Sequence, residues 1–412
     1  MFRMVALCLA SLAATAQTSP ELAPDVLRLA KVKRHMREML LKQVNYTCQM
    51  SIQRSARLKP RRAFRLIDQV RLEVALVDGK ELFSWPGARK FDDRELRHML
   101  GGTTSTGSFA SHARAIFFGA APVFRYNGEQ VLLDGSRVFE WSFDVAQPMS
   151  NYVMRITTAA GDRQATVGYR GIVQVHPQTL DLVRLKFEAL DIPPHLALQS
   201  AGDDIEYRRQ RIGEADYLLP ASSDLRMIDI GGNESRNETR FHNCRQYAGE
   251  SAIRFDEPPP ETEANVPVKP PPTLPPGMWL ELQLVEAVPL EKAAIGDRIE
   301  AKLGRPARYK GIDYLPKGTL FTGRVLGVRP VAGRTPAKAV TLIFDRFETD
   351  SGGADISLSL DDVTPASFGA TRYAVRDGAI HVQGPRSDLI RGLNLFWTVK
   401  QWQLQPPIPA LP

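Results

Sequence analysis

The chain has 412 residues, which at roughly 150 per domain is enough for two or three cores without disulfide or metal staples. Hydrophobic residues make up 43% and charged residues 24%, which excludes wholesale disorder and a polytopic membrane protein. Lys and Arg outnumber Asp and Glu 53 to 46, a diffuse formal charge of +7 that does not indicate nucleic acid, and three cysteines exclude a disulfide-dense scaffold or a Cys-rich metal module.

The opening MFRMVALCLASLAATAQT has Arg3, an apolar run from Met4 to Ala14 and the small-x-small site Ala14-Thr15-Ala16. It reads as a cleaved signal peptide over residues 1–16, directing export to the periplasm or cell envelope. The run is too short to span a bilayer, and no later stretch is long and apolar enough. Cleavage removes Cys8 and leaves Cys48 and Cys244 as a pair in an oxidising setting, where a disulfide is the natural reading. Two free buried thiols are the alternative.

PELAPDVLRLAKVKRHMREMLLKQ places Leu29, Val32, Met36, Met39 and Leu40 at helical spacing, with Pro24 and Asp25 as start signals. It predicts an amphipathic helix docked on a core. The period then changes to two: Tyr46, Cys48, Met50 and Ile52 alternate with polar neighbours, as do Val70, Leu72, Val74 and Leu76. Two short helices are predicted around residues 93–100 and 108–118, separated by GGTTSTG, which reads as a flexible loop. In QVLLDGSRVFEWSFDV, Asp134-Gly135 turns a hairpin beyond which Phe139, Trp141, Phe143 and Val145 share one face. YRGIVQVHPQTLDLVRLKFEAL repeats the layout, with Val183, Leu185, Phe187 and Ala189 on one side. Further strands are expected through residues 205–211, 225–230 and 240–247. Residues 17–255 thus predict an α+β domain, a large curved antiparallel half-barrel sheet wrapped over an N-terminal amphipathic helix and short helices.

Residues 256–277, DEPPPETEANVPVKPPPTLPPG, hold nine prolines and form a semi-rigid polyproline-type linker. Beyond it, alternation at Met278, Leu280, Leu282 and Leu284, and again at Val340, Leu342 and Phe344, predicts a small all-β barrel or sandwich over residues 278–405.

Catalytic signatures are missing. The seven histidines show no HxxxH or HExxH spacing, and His242 with Cys244 is better explained by the cysteine pairing, so no metal, cofactor or catalytic residue is assigned. GxSxG, SxxK and GxxxxGK[ST] do not occur. Asp92-Asp93, Asp203-Asp204 and Asp361-Asp362 are adjacent pairs, and adjacent strand residues point to opposite faces, which is wrong for a paired-carboxylate site. The one concentrated charge feature is QRSARLKPRRAFR, with Arg54, Arg57, Lys59, Arg61, Arg62 and Arg65. On a hairpin tip it would meet an anionic membrane surface, and otherwise it is a solvated loop.

YRGIVQVHPQTLDLVRL, followed by RRQRI and YLLPASSDLRM, together with the order of helix and strands, resembles the periplasmic lipoprotein carriers of the Lol type and related outer-membrane lipoprotein-sorting proteins. That resemblance covers residues 25–250 and implies an open curved sheet closed off by helices, with an apolar concavity that takes acyl chains. GDRIEAKLGRPARYKGIDYLPKGTLFTGRVLGV, through Pro316, Gly318, Thr319 and Gly323, resembles the β-barrel module of outer-membrane channel core proteins in conjugative transfer. The expectation is therefore a non-enzymatic envelope protein binding an apolar or lipid-like ligand over Phe139, Trp141, Phe143, Val183, Leu185 and Phe187. The alternatives are an assembly module with an envelope protein partner and, third, a secreted hydrolase.

Overall fold

The computed structural model describes residues 22–60, 62–88, 91, 96–158, 161–247, 270–331, 337–365, 367–385 and 388–401. The signal segment, Arg61, Asp92, Asp93 and the proline-rich stretch up to residue 269 lie outside them.

Helix α1, Pro24–Leu41, starts on its proline, whose missing N–H is no loss in the first turn. Val32, Met36 and Leu40 are fully buried along one stripe, with Leu29 and Met39 packed at its margins. The strands of the first region are β1 Tyr46–Arg57, β2 Arg65–Val77, β3 Lys80–Ser84, β4 Val123–Val131, β5 Arg137–Val145, β6 Val153–Thr158, β7 Gly161–Thr166, β8 Gly168–Val175, β9 Leu182–Leu190, β10 Leu198–Ile212, β11 Ala215–Asp229 and β12 Glu234–Gln246. Ten of them form one curved antiparallel sheet in the order β3-β2-β1-β12-β11-β10-β9-β8-β5-β4, while β6 and β7 pair separately. Helices α2, Leu96–Met99, and α3, Ser111–Phe118, join α1 over its inner face. The fold class is α+β.

Cys48 and Cys244 are bonded, with Cα atoms 4.1 Å apart. The bridge joins β1 to β12 at a register shift between Thr47 and Gln49. These strands are neighbours in mid-sheet, so the bond staples the two sequence ends of the sheet where they meet and leaves the edges, β3 and β4, unfastened.

Among the described residues the second region holds strands and no helix. Leu358–Thr364, Asn394–Val399, Trp279–Leu284, Arg298–Leu303, Leu320–Val331, Ala337–Thr349, Ala379–Gln383, Thr371–Arg376 and Ser367–Phe368 follow one another across a nearly closed, barrel-like sheet. Its core is one apolar cluster that includes Leu282, Phe321, Phe344, Phe347 and Trp397.

The regions are docked. Among the described residues β3 pairs with residues 73–77 of β2 and leaves the edge at Gln69–Arg71 without a partner in its own sheet. Ile295 of the second region fills it as a parallel bridge, donating to Gln69 O at 2.7 Å and accepting from Arg71 N at 2.8 Å. An edge left bare invites pairing with other chains, and this contact covers it. Gly296 follows with φ +95°, and a Cβ there would lie 2.3 Å from Arg71 O and 2.7 Å from the Trp85 ring. Arg71 and Asp297 form an ion pair beside it.

Candidate functional site

The inner face of the first sheet is where the aromatic stripe lies. Trp141 and Phe143 of β5 and Leu185 and Phe187 of β9 are buried with Tyr169, Val173, Ile205 and Tyr207 beneath Val32, Met36 and Leu40 of α1 and Ile116 and Phe117 of α3. The rings meet edge to face: Phe143 with Tyr169 at 6.1 Å, and Tyr169 with Phe187 at 5.9 Å. Phe139 sits half-exposed at the margin under the Arg28 guanidinium, 4.5 Å from its ring. Val183 is a correction. The β8–β9 register shifts between Gln174 and Val175, so Leu182 takes the core position opposite Val175 and Val183 is only half-buried.

Two arginines hold α1 against α3 without closing a ladder between them. Arg37 donates to Phe117 O at 2.8 Å and Arg114 to Leu40 O at 3.0 Å. The cover is thus a pair of helices laid on apolar side chains.

Towards the β1–β2 turn the inner face becomes polar. Arg54 was expected on a basic surface, but strand alternation turns it inward: it is 9% exposed and makes a two-pronged pair with Asp68, at 2.7 and 2.6 Å. It also donates to Gly101 O. Arg57 likewise leaves the basic cluster, pairing with buried Glu234 and stacking on Phe64 at 4.5 Å. The exposed remainder of that cluster is Lys59, Arg62 and Arg65, accompanied by Leu58 and Leu66, 69% and 55% exposed.

The GGTTSTG stretch is fastened across this polar end, contrary to its reading as a free loop. Asn237 donates to Thr103 O at 2.8 Å, and Ser108 donates to Asp203 at 2.5 Å. Glu81 of β3 accepts from the amides of Gly107, Ala110 and Ser111 and from the Ser111 hydroxyl, so one carboxylate caps the start of α3. Gly107, at φ +100°, brings the backbone against His112, whose Nε2 would lie 2.7 Å from a Cβ there. Beneath the loop is a cavity of about 10 Å³ lined by Arg54, Ser108, Ser223, Asn237 and Thr239, room for one water.

Burial sets the titration of this end. Asp203, 2% exposed, is pushed up to about 6 by desolvation despite its bond from Ser108. His112, its ring 4.6 Å from Phe187, is pushed down to about 4 by burial, against the pull of Glu81. No three His, Cys, Asp or Glu side chains are grouped to hold a metal among the described residues.

Sequence reasoning missed this polar end. The available signal was Asp203 itself, which shares a face with Ala201, Ile205 and Tyr207 on an otherwise apolar alternation.

On the second region, the outward-facing Trp279 stacks on Phe396 at 5.0 Å and lies under Arg305 at 4.4 Å. Trp279 and Arg305 border a groove of about 210 Å³ that also involves Glu281, Pro306 and Arg308.

No family model matches the chain, and no curated protein matches it. Among solved structures the chain is similar to a LolA superfamily protein, NE2245 from Nitrosomonas europaea, at 12% identity and TM-score 0.29, over 53% of this chain and 94% of that one. It is also similar to a DUF1329 family protein from Desulfovibrio piger ATCC 29098, at 12% identity and TM-score 0.28, over 55% of this chain and 96% of that one. Both likenesses are distant.

Proposed function

We propose that this is an exported cell-envelope protein without enzymatic activity that carries an apolar or lipid-like ligand against the inner face of its first sheet. The observation that supports this most is the construction of the cover. An open sheet presents Trp141, Phe143, Leu185 and Phe187 to two helices, and those helices rest on it through apolar contact, the His35–Asp181 bond and the Glu81 cap of α3, with no strand ladder between helix and sheet. Sliding or lifting a helix from an apolar face breaks no strand ladder, and an acyl chain can replace the lost apolar contact. Phe139 lies at the margin where such a chain would enter. Val183, off the stripe, has no part in it.

The exposed cations Lys59, Arg62 and Arg65 with Leu58 and Leu66 support docking on an anionic membrane surface, where cations near the headgroups contribute about 1 kcal/mol each. Arg54 and Arg57, spent on buried carboxylates, are not part of that surface. The test is extraction of the purified protein with organic solvent and mass spectrometry of the extract, alongside titration with a fluorescent fatty acid. Co-purifying acyl lipid or saturable uptake is expected. Protein that is empty and takes up no probe, while holding a stoichiometric envelope partner on crosslinking, would establish the assembly module instead.

A further inference from the structure

Outside the first sheet, the groove beside Trp279 exists because a ladder stops early. On one side of the strand Trp279–Leu284, residues 279–283 pair with residues 394–398. On the other side the pairing with Arg298–Leu303 ends at Leu282 and Leu303, extended by one bond from the Gly304 amide to Glu281 O at 2.8 Å. The same register would set Pro306 against Trp279, and a proline has no N–H to give the ladder. The chain turns away into Ala307–Tyr309, which pairs with Ile312–Leu315 instead. The groove of about 210 Å³ lies in the space it leaves.

Its lining is mostly apolar: Trp279, 43% exposed, with Leu280, Leu303, Pro306 and Ala307. The charges beside them already have partners, since Arg305 pairs with Glu281 at 2.8 Å and Arg308 with Asp313 at 2.5 Å. That disfavours an ionic ligand. The volume is below the roughly 300 Å³ at which pockets for separate small molecules begin, and fits one or two apolar side chains of an extended segment. Trp279, stacked on Phe396 and covered by Arg305, is held in one orientation for that contact.

Such a segment begins close by. Thr398 pairs with Trp279, and the described residues leave off at Gln401. Residues 402–412, WQLQPPIPALP, follow with Pro406, Pro407, Pro409 and Pro412 and no charged side chain. The groove is two strand spacings, about 10 Å, from the strand Asn394–Val399, and an extended chain advances about 3.3 Å per residue. The residues between Gln401 and Pro406 therefore span the distance. Proline-rich sequence prefers polyproline II and docks on aromatic side chains at small ordering cost, and a tether this short gives an effective concentration on the order of mM. We propose that residues 406–412, PPIPALP, dock in cis in the groove of Trp279 and Pro306.

The experiment places the photocrosslinker p-benzoylphenylalanine at Ile408 of the full chain and maps the linked peptides by mass spectrometry after irradiation. Crosslinks within one chain to residues 279–281 and 303–308 are expected. Trp279→Ala should lower their yield about fivefold, and so should Pro406→Ser, Pro407→Ser and Pro409→Ser combined. The proline variant changes no residue of the barrel core, so it decides the matter even if Trp279→Ala fails to fold. Crosslinks to other surfaces, crosslinks that join two chains, no crosslink at the groove, or a yield that the proline variant leaves unchanged each overturns the docking.

Discussion

The sheet of residues 46–246 and the sheet of residues 279–399 both have ten strands, the tenth of the second being Gly352–Asp355 beside Ala337–Thr349, yet their interiors differ in kind. The second curls until Leu358–Thr364 at one end meets Thr371–Arg376, the last strand but one at the other, and the buried polar residues there are Thr319 and Thr371 among the described residues. The first stays open and buries Arg54, Asp68, Asp181, Asp203, Glu234 and Asn237. Closure lets a sheet cover its own apolar face. An open sheet needs helices and a loop as cover, and their backbone groups and chain ends must be satisfied inside, which brings charge into the core. The difference teaches where to look for function: the barrel covers its own apolar face, while the open sheet depends on a separate cover of helices and a loop.

The largest effect expected from breaking this contrast is at the disulfide. Cys48→Ser with Cys244→Ser opens a bridge across 196 residues, worth roughly 5 kcal/mol in the chain-entropy model. Urea melts of oxidised wild type and variant check it, with a lower midpoint expected for the variant. Next is Arg54→Ala. It strands Asp68, 5% exposed, at a cost of about 3–5 kcal/mol. Arg54→Met with Asp68→Leu should recover most of that loss. A double variant as unstable as the single one means that the bond to Gly101, and not the stranded charge, dominates.

The polar end should also respond to pH in two opposing ways. Asp203 has a folded pKa of about 6 against 3.8, so the native state binds the extra proton between those values. The stability this adds is full below about 4 and lost as pH rises through about 6, some 3 kcal/mol in all. His112 has a folded pKa of about 4 against 6.5; its contribution is present above about 6.5 and lost as pH falls towards about 4. The two slopes oppose each other over one window. Asp203→Asn should therefore lose stability on acidification more steeply than wild type, and His112→Phe less steeply. Urea midpoints at about pH 4.5 and about pH 7 read both, and parallel profiles for all three proteins dismiss the buried pair as titrating groups.

The smallest effect is at the seam. Gly296→Ala places a methyl against Arg71 O and Trp85 and should cost about 1–3 kcal/mol. The regions should then melt separately and the linker be cut faster by protease. A single unchanged transition would show that the Arg71–Asp297 pair and the Ile295 bridge are not what couples the two sheets.

Much of the architecture was legible because its determinants are local. The 3.6 period of α1 marked Val32, Met36 and Leu40, the Asp134-Gly135 turn marked β4 and β5, and alternation marked both the aromatic face of β5 and the strands of the barrel. The Cys48–Cys244 pair was legible because these are the two cysteines outside the apolar N-terminal run. The same periodicity misled at β9, where a single-residue slip exchanges Leu182 for Val183, and in the basic stretch, where charge density hid the inward turn of Arg54.

By itself, then, the sequence determined that an open, helix-covered sheet is followed by an all-β region, and that one inner face is apolar and aromatic. Only the tertiary structure decided the strand order, the burial of Arg54 and Arg57 against Asp68 and Glu234, the pinning of residues 101–108 and the docking of Ile295 on β2. The physical reason is separation along the chain. Periodicity reports which way a side chain points relative to its neighbours, but what it then meets is chosen by strand pairing across tens to hundreds of residues, and a buried donor or charge takes its meaning from that distant partner.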